Sequence, residues 1–328
     1  MINESALVIL SNSVIIFLTR LTMRYCTDTL FEMNCVASVT LFIFIVSVFS
    51  LVFLAFFKDI YGVQNTLPVP AKMRIVTGLL QVIKSYATLS QTFRGFETSV
   101  RLVLLLEVPY AILVAKRLRG MPCSAQTLSA ILLLLFGSFL LFFPSLPFTI
   151  SPLFSAILRA VINVHCTDYA WNAMNISGVS PIKFFASAAP YRMIGSALAV
   201  GSALLATSTP DFRISLQLFP VLLLVAASAV DFANTVSTQS FVAELSYVAF
   251  FVMELLDDVL VILLESTISP VRFTTFSESV LSFSGFALAI PGFALYFTSP
   301  GAVGLKPKDT EPFKLDNEGG DTETCETD

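Results

Sequence analysis

The sequence predicts an all-α, polytopic membrane protein with ten transmembrane helices, arranged as two inverted five-helix repeats. Composition is the first observation behind this prediction, because 55% of the 328 residues are apolar and only 13% are charged. A soluble domain carries about 25% charged residues, so a soluble globular protein is excluded. The other two observations are a recurrence of long apolar segments and a short match between the two halves of the chain.

Charged residues, prolines and glycines divide the apolar sequence into ten segments. Each segment is close to the length of about 20 residues that a helix needs to cross the hydrocarbon core of a bilayer. The ten predicted helices are 5–23, 35–57, 73–92, 96–115, 124–143, 152–172, 184–206, 214–236, 243–264 and 279–298. They form a first half over residues 1–145 and a second half over residues 146–300.

The distribution of lysine and arginine between the loops predicts the orientation. With a cytosolic N-terminus, ten of these residues fall in cytosolic segments and five on the opposite side, among them Arg20 and Arg24. Because basic residues favour the cytosolic side, both termini are expected in the cytosol. The remaining residues, 301–328, are predicted to form a disordered acidic cytosolic tail, since 306–328 contain eight acidic and only three basic residues.

The rest of the composition argues against several kinds of partner. Without the acidic tail the chain is close to neutral, so nothing indicates a nucleic-acid partner. The five cysteines and the single histidine, His165, show no metal-ligand spacing, and no metal or other cofactor is expected. The expected partners are the lipid bilayer and a small-molecule solute, and a homodimer is left open.

Two matches between the halves indicate an internal repeat. Residues 105–108 match 255–258, with Glu107 corresponding to Asp257, and residues 137–144 match 292–299. Because each half would contain an odd number of helices, the two halves would be inverted relative to each other. Inverted repeats are common in secondary transporters, whose substrate sites lie near the bilayer midplane between the halves.

Several short motifs resemble those of the nucleotide-sugar transporter and triose-phosphate translocator family, in the drug/metabolite transporter superfamily. They comprise 86–90 (Tyr-Ala-Thr-Leu-Ser), the Lys-Arg-Leu at 116–118 that ends the fourth helix, Leu158-Arg159, Ser180-Pro181-Ile182, Ala189-Pro190, and 259–296 in the ninth and tenth helices. The resemblance covers about residues 5–300. It implies a ten-helix antiporter of nucleotide sugars or sugar phosphates in the Golgi or endoplasmic reticulum membrane, not an enzyme.

One position departs from that family. Phosphate-handling members carry a Lys-Arg pair on the ninth helix, and this chain has Asp257 and Asp258 at the corresponding positions. Phosphate recognition needs cationic hydrogen-bond donors, and two carboxylates would repel a phosphate. The departure opens the alternative of a cationic or proton-coupled solute.

Ionisable residues inside the predicted helices are the candidate substrate-binding residues. Each costs about 2.5–3.5 kcal/mol on insertion scales, so it is retained where it is paired or lines a wet cavity. Glu254, Asp257 and Asp258 stand at positions i, i+3 and i+4 and therefore share one face of the ninth helix. The candidates are Lys84, Tyr86, Arg101, Glu107, Arg159, Arg192, Asp231, Glu254, Asp257 and Asp258.

Some of these residues also have purely structural interpretations. Arg101 could pair with Glu97 at i, i+4, and Arg159 could pair with Asp168 on the same helix. Trp171 is expected to be an interfacial anchor, and His165 is expected to be packed. The acidic cluster could equally be a salt-bridge network that holds the bundle together.

Three functions are therefore open. The first is a secondary transporter of a small polar solute. The second is a membrane enzyme whose acidic cluster holds Mg²⁺, although such enzymes usually use two facing acidic motifs and only one is present. The third is a non-transporting scaffold or sensor with the same fold.

Overall fold

The structure is a computed structural model of the chain, and it describes residues 4–33, 38–57, 69–93, 97–121, 123–145, 150–206, 217–268 and 276–299. The described residues form ten α-helices and one short 3₁₀ turn, without a strand, so the all-α prediction is confirmed. The helices are α1 (Glu4–Glu32), α2 (Val39–Phe57), α3 (Ala71–Phe93), α4 (Glu97–Arg119), α5 (Ala125–Phe142), α6 (Ile150–Ser177), α7 (Pro181–Ala206), α8 (Leu218–Glu244), α9 (Tyr247–Ile268) and α10 (Phe276–Thr298). The acidic tail lies outside the described residues.

Nine helices begin and end within a few residues of the predicted bounds or extend past one of them, and the largest difference is in α1. This helix continues to Glu32, nine residues beyond the predicted end at residue 23. Arg20 already lies within the predicted helix 5–23, and the structure makes Arg24 helical too, so neither residue belongs in the loop count. The predicted helix ended just before Arg24 because a charged side chain next to an apolar segment resembles a loop boundary.

Among the described residues, four helices are long and apolar enough to cross a membrane: α2, α5, α8 and most of α10. Every one of the ten helices also exposes large apolar side chains. Phe56 on α2, Phe154 on α6, Leu205 on α7 and Phe283 on α10 are each about two-thirds exposed or more. A soluble monomer rarely exposes apolar surface on this scale, so the outer surface is suited to contact with lipid.

Helix α5 packs against α10 at very short distance, and glycines make the approach feasible. A Cβ atom added to Gly137 on α5 would collide with the backbone of Ala289 on α10, and one added to Gly292 would lie 2.5 Å from the backbone nitrogen of Leu134. Later residues of α5 face earlier residues of α10, so the two helices are antiparallel. Small residues that allow such close approach are typical of helix interfaces in membranes.

Contacts between other helices give their relative directions. Arg101 near the start of α4 pairs with Asp258 on α9, and Glu107, further along α4, lies near the earlier Glu254. Helices α4 and α9 are therefore antiparallel as well. Helix α3 packs beside α7 with Gly78 against Tyr191. Helices α1 and α8, α4 and α6, and α2 and α7 are other main packing partners, and α2 also packs on α8 and α3 on α6.

One end of the bundle is closed by buried aromatic residues. The connection between α8 and α9 is only two residues long, and both Leu245 and Ser246 are buried. Tyr247 packs against Trp171 of α6 with ring centroids 5.5 Å apart. Trp171 is 3% exposed, so the prediction that it anchors at the membrane surface is wrong. Its ring fills the interior where α6 meets the start of α9.

Candidate functional site

The helices enclose a polar cavity of about 410 Å³ within an otherwise apolar bundle. Its lining comes from α1, α3, α4, α6, α7, α8 and α9, and thus from both halves of the chain. Ligand sites of small molecules typically have volumes of about 300–1,000 Å³. Nine of the ten predicted site residues line this cavity: Lys84, Arg101, Glu107, Arg159, Arg192, Asp231, Glu254, Asp257 and Asp258.

Tyr86 is the predicted site residue that the structure places elsewhere. Its side chain is 47% exposed on the outer surface of α3 and does not line the cavity. Lys84 lies two residues earlier, and residues two apart on a helix do not share a face. The inward direction of Lys84 therefore turns Tyr86 outward, towards the surface that faces lipid.

Arg20 on α1 holds two of the three clustered carboxylates on α9. Its guanidinium donates to Glu254 at 2.6 Å and to Asp257 at 3.0 Å. Arg20 was absent from the predicted site, because it was counted with the basic residues on the non-cytosolic side although it lies within the predicted helix 5–23. The two negative charges of Glu254 and Asp257 thus share one positive charge supplied by the other half of the chain.

The third clustered carboxylate and the acid on α8 have their own arginines. Asp258 lies 3.7 Å from Arg101 of α4, and Asp231 lies 2.9 Å from Arg192 of α7. Arg101 was expected to pair with Glu97, whose side chain lies outside the described part of the structure. Each pair joins two helices, so each also contributes to the packing of the bundle.

The α3, α4 and α6 side of the cavity combines two cations with one carboxylate. Glu107, 1% exposed, accepts a hydrogen bond of 2.5 Å from the side-chain amide of Asn163. Arg159 and Lys84 are close enough to stabilise the charge of Glu107 electrostatically. Lys84 donates to the hydroxyl of Thr167 at 3.0 Å.

Arg159 and His165 differ from their expected structural roles. Asp168 does not pair with Arg159, because it forms a bidentate ion pair with Arg119 at the end of α4, at 2.7 and 3.0 Å. The two side chains on α6 are nine residues apart, so they reach different levels of the bundle. His165 is exposed and contacts the hydroxyl of Tyr110 at 2.8 Å, so the expectation that it is packed is wrong.

Uncharged polar residues of α3 and α8 also line the cavity, and the sequence prediction omitted them. Thr77 and Gln81 stand at i, i+4 on α3, and Thr235 and Gln239 have the same spacing on α8. The side-chain carbonyl oxygens of both glutamines have no hydrogen-bond partner in the described part of the chain. The repeated Thr-x-x-x-Gln spacing in two otherwise apolar helices is a sequence signal that could have identified them.

Within the described ranges, no group of three or more His, Cys, Asp and Glu side chains is arranged to hold a metal ion. Glu254, Asp257 and Asp258 share a face of α9 but each lies within 4 Å of an arginine. Each of these carboxylates is thus partnered by a guanidinium group. The arrangement is suited to holding a charged or polar solute by hydrogen bonds.

Comparison with known proteins gives a fold likeness and no family. No protein-family model and no curated protein matches the sequence. Twenty-three chains of solved structures match. One of them, described only as the crystal structure of a protein, has 15% sequence identity and a TM-score of 0.57, and the match covers 87% of this chain and 97% of that one. At this identity the likeness shows the fold alone.

Proposed function

We propose that the protein is a secondary transporter that moves a small polar solute across a membrane by alternating access. The observation that carries the proposal is the cavity between helices of both halves, which is lined by charged side chains. Ionisable residues in a membrane interior usually mark a substrate or ion pathway. Nothing in this proposal requires a catalytic step or a cofactor.

The pattern of helix contacts supports ten spans in two inverted five-helix repeats. In two such repeats, α1 to α5 correspond in order to α6 to α10. The packing of α1 on α8 then corresponds to that of α6 on α3. The packing of α2 on α8 likewise corresponds to that of α7 on α3, and all four contacts are present. The corresponding helices α4 and α9, and α5 and α10, are antiparallel, as inversion requires. The lipid-facing apolar side chains of all ten helices agree with ten spans.

Residue-level contacts support the same symmetry. Gly137 faces Ala289, and Gly292 faces Leu134. Gly292 lies 155 residues after Gly137, and Ala289 lies 155 residues after Leu134. The two contacts are thus exchanged by a single offset. Glu107 and Asp257, which are 150 residues apart, also correspond, because the first bonds to α6 and the second to α1.

The resemblance to the nucleotide-sugar transporter and triose-phosphate translocator family makes antiport of a nucleotide sugar or sugar phosphate the default form of this proposal. It also suggests a Golgi or endoplasmic reticulum membrane with both termini in the cytosol. The alternative is a solute that uses the carboxylates of α9. Fluorescent tags at each terminus, read by selective permeabilisation and microscopy, would test location and orientation.

Flux through the purified, reconstituted protein is the direct test. Proteoliposomes are expected to exchange at least one solute from a panel of nucleotide sugars, sugar phosphates, amines and amino acids. Glu107→Gln is expected to reduce that exchange about tenfold or more, because a charge-assisted contact in the cavity is lost. Glu244→Gln is the matched control, since Glu244 is exposed and lies outside the cavity.

Equal exchange by the wild type and Glu107→Gln would contradict the assignment of the cavity as the pathway. Absence of exchange for every solute class would favour the scaffold or sensor. Detection of folded protein by thermal unfolding in the same preparations separates both results from simple misfolding.

The Arg119–Asp168 ion pair is expected to keep one end of the bundle closed. It lies beside the buried Trp171 and Tyr247, and Met174 lines the nearby part of the cavity while being 3% exposed. Asp168→Asn removes the charge that holds Arg119 at the end of α4. In a background without native cysteines, this change is expected to raise the reactivity of Met174→Cys to a membrane-impermeant thiol reagent by about tenfold.

Arg117→Met is the control for that measurement, because Arg117 is exposed near the same end of α4. Reactivity of Val261→Cys, at the opposite end of the cavity lining, is expected to stay the same or fall. A parallel rise at both positions would indicate general loosening and would contradict a role in closing one end.

A further inference from the structure

We infer that the solute held in this cavity is a zwitterion, with its ammonium group at Glu254 and Asp257 and its carboxylate at Lys84. The inference rests on the proposed transport function and specifies the substrate class. It follows from two carboxylates that share one arginine and from a lysine whose side chain bonds only to a hydroxyl group.

Two carboxylates on the α1–α9 side of the cavity share one arginine. Glu254 and Asp257 both accept a hydrogen bond from Arg20. An ionised carboxylate has about four acceptor sites, and the bond to Arg20 uses one site on each. An ammonium group, with three donors and one positive charge, would complete this side.

On the α3–α6 side, Lys84 is the cation that can bind an anionic group of the solute. Arg159 interacts electrostatically with both Glu107 and Glu254, and Glu107 is also bonded to Asn163. Within the described residues, Lys84 has no carboxylate within 4 Å, and its one side-chain hydrogen bond goes to the hydroxyl of Thr167. A lysine ammonium has three donors, so it can also bind the carboxylate of a solute.

Phe250 lies close to both poles of the site, which are the carboxylates Glu254 and Asp257 held by Arg20 and the ammonium of Lys84. Its ring centroid is 5.2 Å from Arg20 and 5.3 Å from Lys84. The ring is 1% exposed and belongs to the packed core. Because both cations lie within about one ring's reach of Phe250, one small molecule can contact both poles.

The carboxylates of α9 distinguish a zwitterion from a phosphate. Glu254 and Asp257 would repel the oxygens of an ionised phosphate, which only accept hydrogen bonds, whereas an ammonium group donates three. Gln239 of α8 adds a buried carbonyl oxygen that lines the cavity and has no partner in the described part of the chain.

The test compares each zwitterion with the amine and the acid that each carry only one of its two charged groups. Thermal unfolding and proteoliposome exchange are measured with the twenty standard L-amino acids, their decarboxylated amines, their deaminated acids, UDP-glucose and glucose 6-phosphate. For leucine the set is L-leucine, isoamylamine and 4-methylpentanoate. We expect at least one amino acid to bind about tenfold or more tightly than its amine or its deaminated acid, because each of these lacks one charge-assisted contact.

Two substitutions should separate the poles. Lys84→Met is expected to weaken the amino acid and the deaminated acid about tenfold or more, and to leave the amine unchanged. Glu254→Gln is expected to weaken the amino acid and the amine and to leave the deaminated acid unchanged. Lys116→Met and Glu244→Gln are matched controls, since both residues are exposed and outside the cavity. A merely structural role would weaken all three ligands together.

Other outcomes separate this inference from the proposed function. Binding and exchange of UDP-glucose or glucose 6-phosphate, without any amino acid, would overturn the inference and support the transporter. Binding of amines alone would overturn it and assign the site to cations. Absence of binding and exchange for the whole panel, with folded protein present, would overturn both.

Discussion

Arg20→Met is expected to be among the most damaging single substitutions in the chain. It leaves Glu254 and Asp257 together in the bundle without the cation that bridges them. Removal of one partner from a largely buried ion pair typically lowers the free energy of unfolding by about 3–5 kcal/mol. We expect a comparable loss in detergent, measured by thermal unfolding, together with loss of exchange in proteoliposomes.

A charge-neutralised variant provides the decisive comparison. Combining Arg20→Met with Glu254→Gln and Asp257→Asn removes all three charges, so much of the lost stability should return while exchange stays low. Arg117→Met controls for the loss of an arginine at an exposed position. If Arg20→Met unfolded like the wild type, the three-residue ion cluster would not contribute to stability.

Gly137→Ala is expected to have an effect of similar size through packing alone. The added methyl group would collide with the backbone of α10 at Ala289 and at Gly285, where the carbonyl oxygen is 2.7 Å from the Cβ position. Backbone cannot rotate away as a side chain can, so α5 and α10 would have to separate. Overpacking typically costs about 1–3 kcal/mol and occasionally more, and we expect the upper end, measured by thermal unfolding.

Gly201→Ala is the matched control for this substitution. Gly201 is also a helical glycine, on α7, but a Cβ atom there would have no neighbour within 4 Å. Alanine is a better helix former than glycine, so the control is expected to be neutral or to raise the free energy of unfolding by about 0.5–1 kcal/mol. Equal effects at the two glycines would contradict close packing of α5 against α10.

The positions of the helices could be predicted from hydropathy because each helix exposes an apolar side. The end of α1 could not, since Arg24 has the local appearance of a loop boundary. Arg20 is held inside the bundle by Asp257, 237 residues away in sequence. Such a pairing leaves no trace in a local window of sequence.

Most of the cavity lining could be predicted because ionisable residues are rare in these helices. Their partners were harder to infer. The Asp257-Asp258 pair alone suggested a site of reversed sign, whereas the structure adds Arg20 and Arg101 as counter-charges. Gln239 was missed because an uncharged amide in an apolar helix has many structural explanations, and only the matching spacing on α3 distinguishes it.

The ion cluster between α1 and α9 also has a consequence for biosynthesis. Arg20 is translated 234 residues before Glu254. At about 5–20 residues per second, the ribosome needs roughly 12–47 s to reach the acidic partner. During that interval α1 carries an uncompensated arginine into or near the insertion machinery. Its stable integration therefore has to wait for α9, although α1 is made long before that helix.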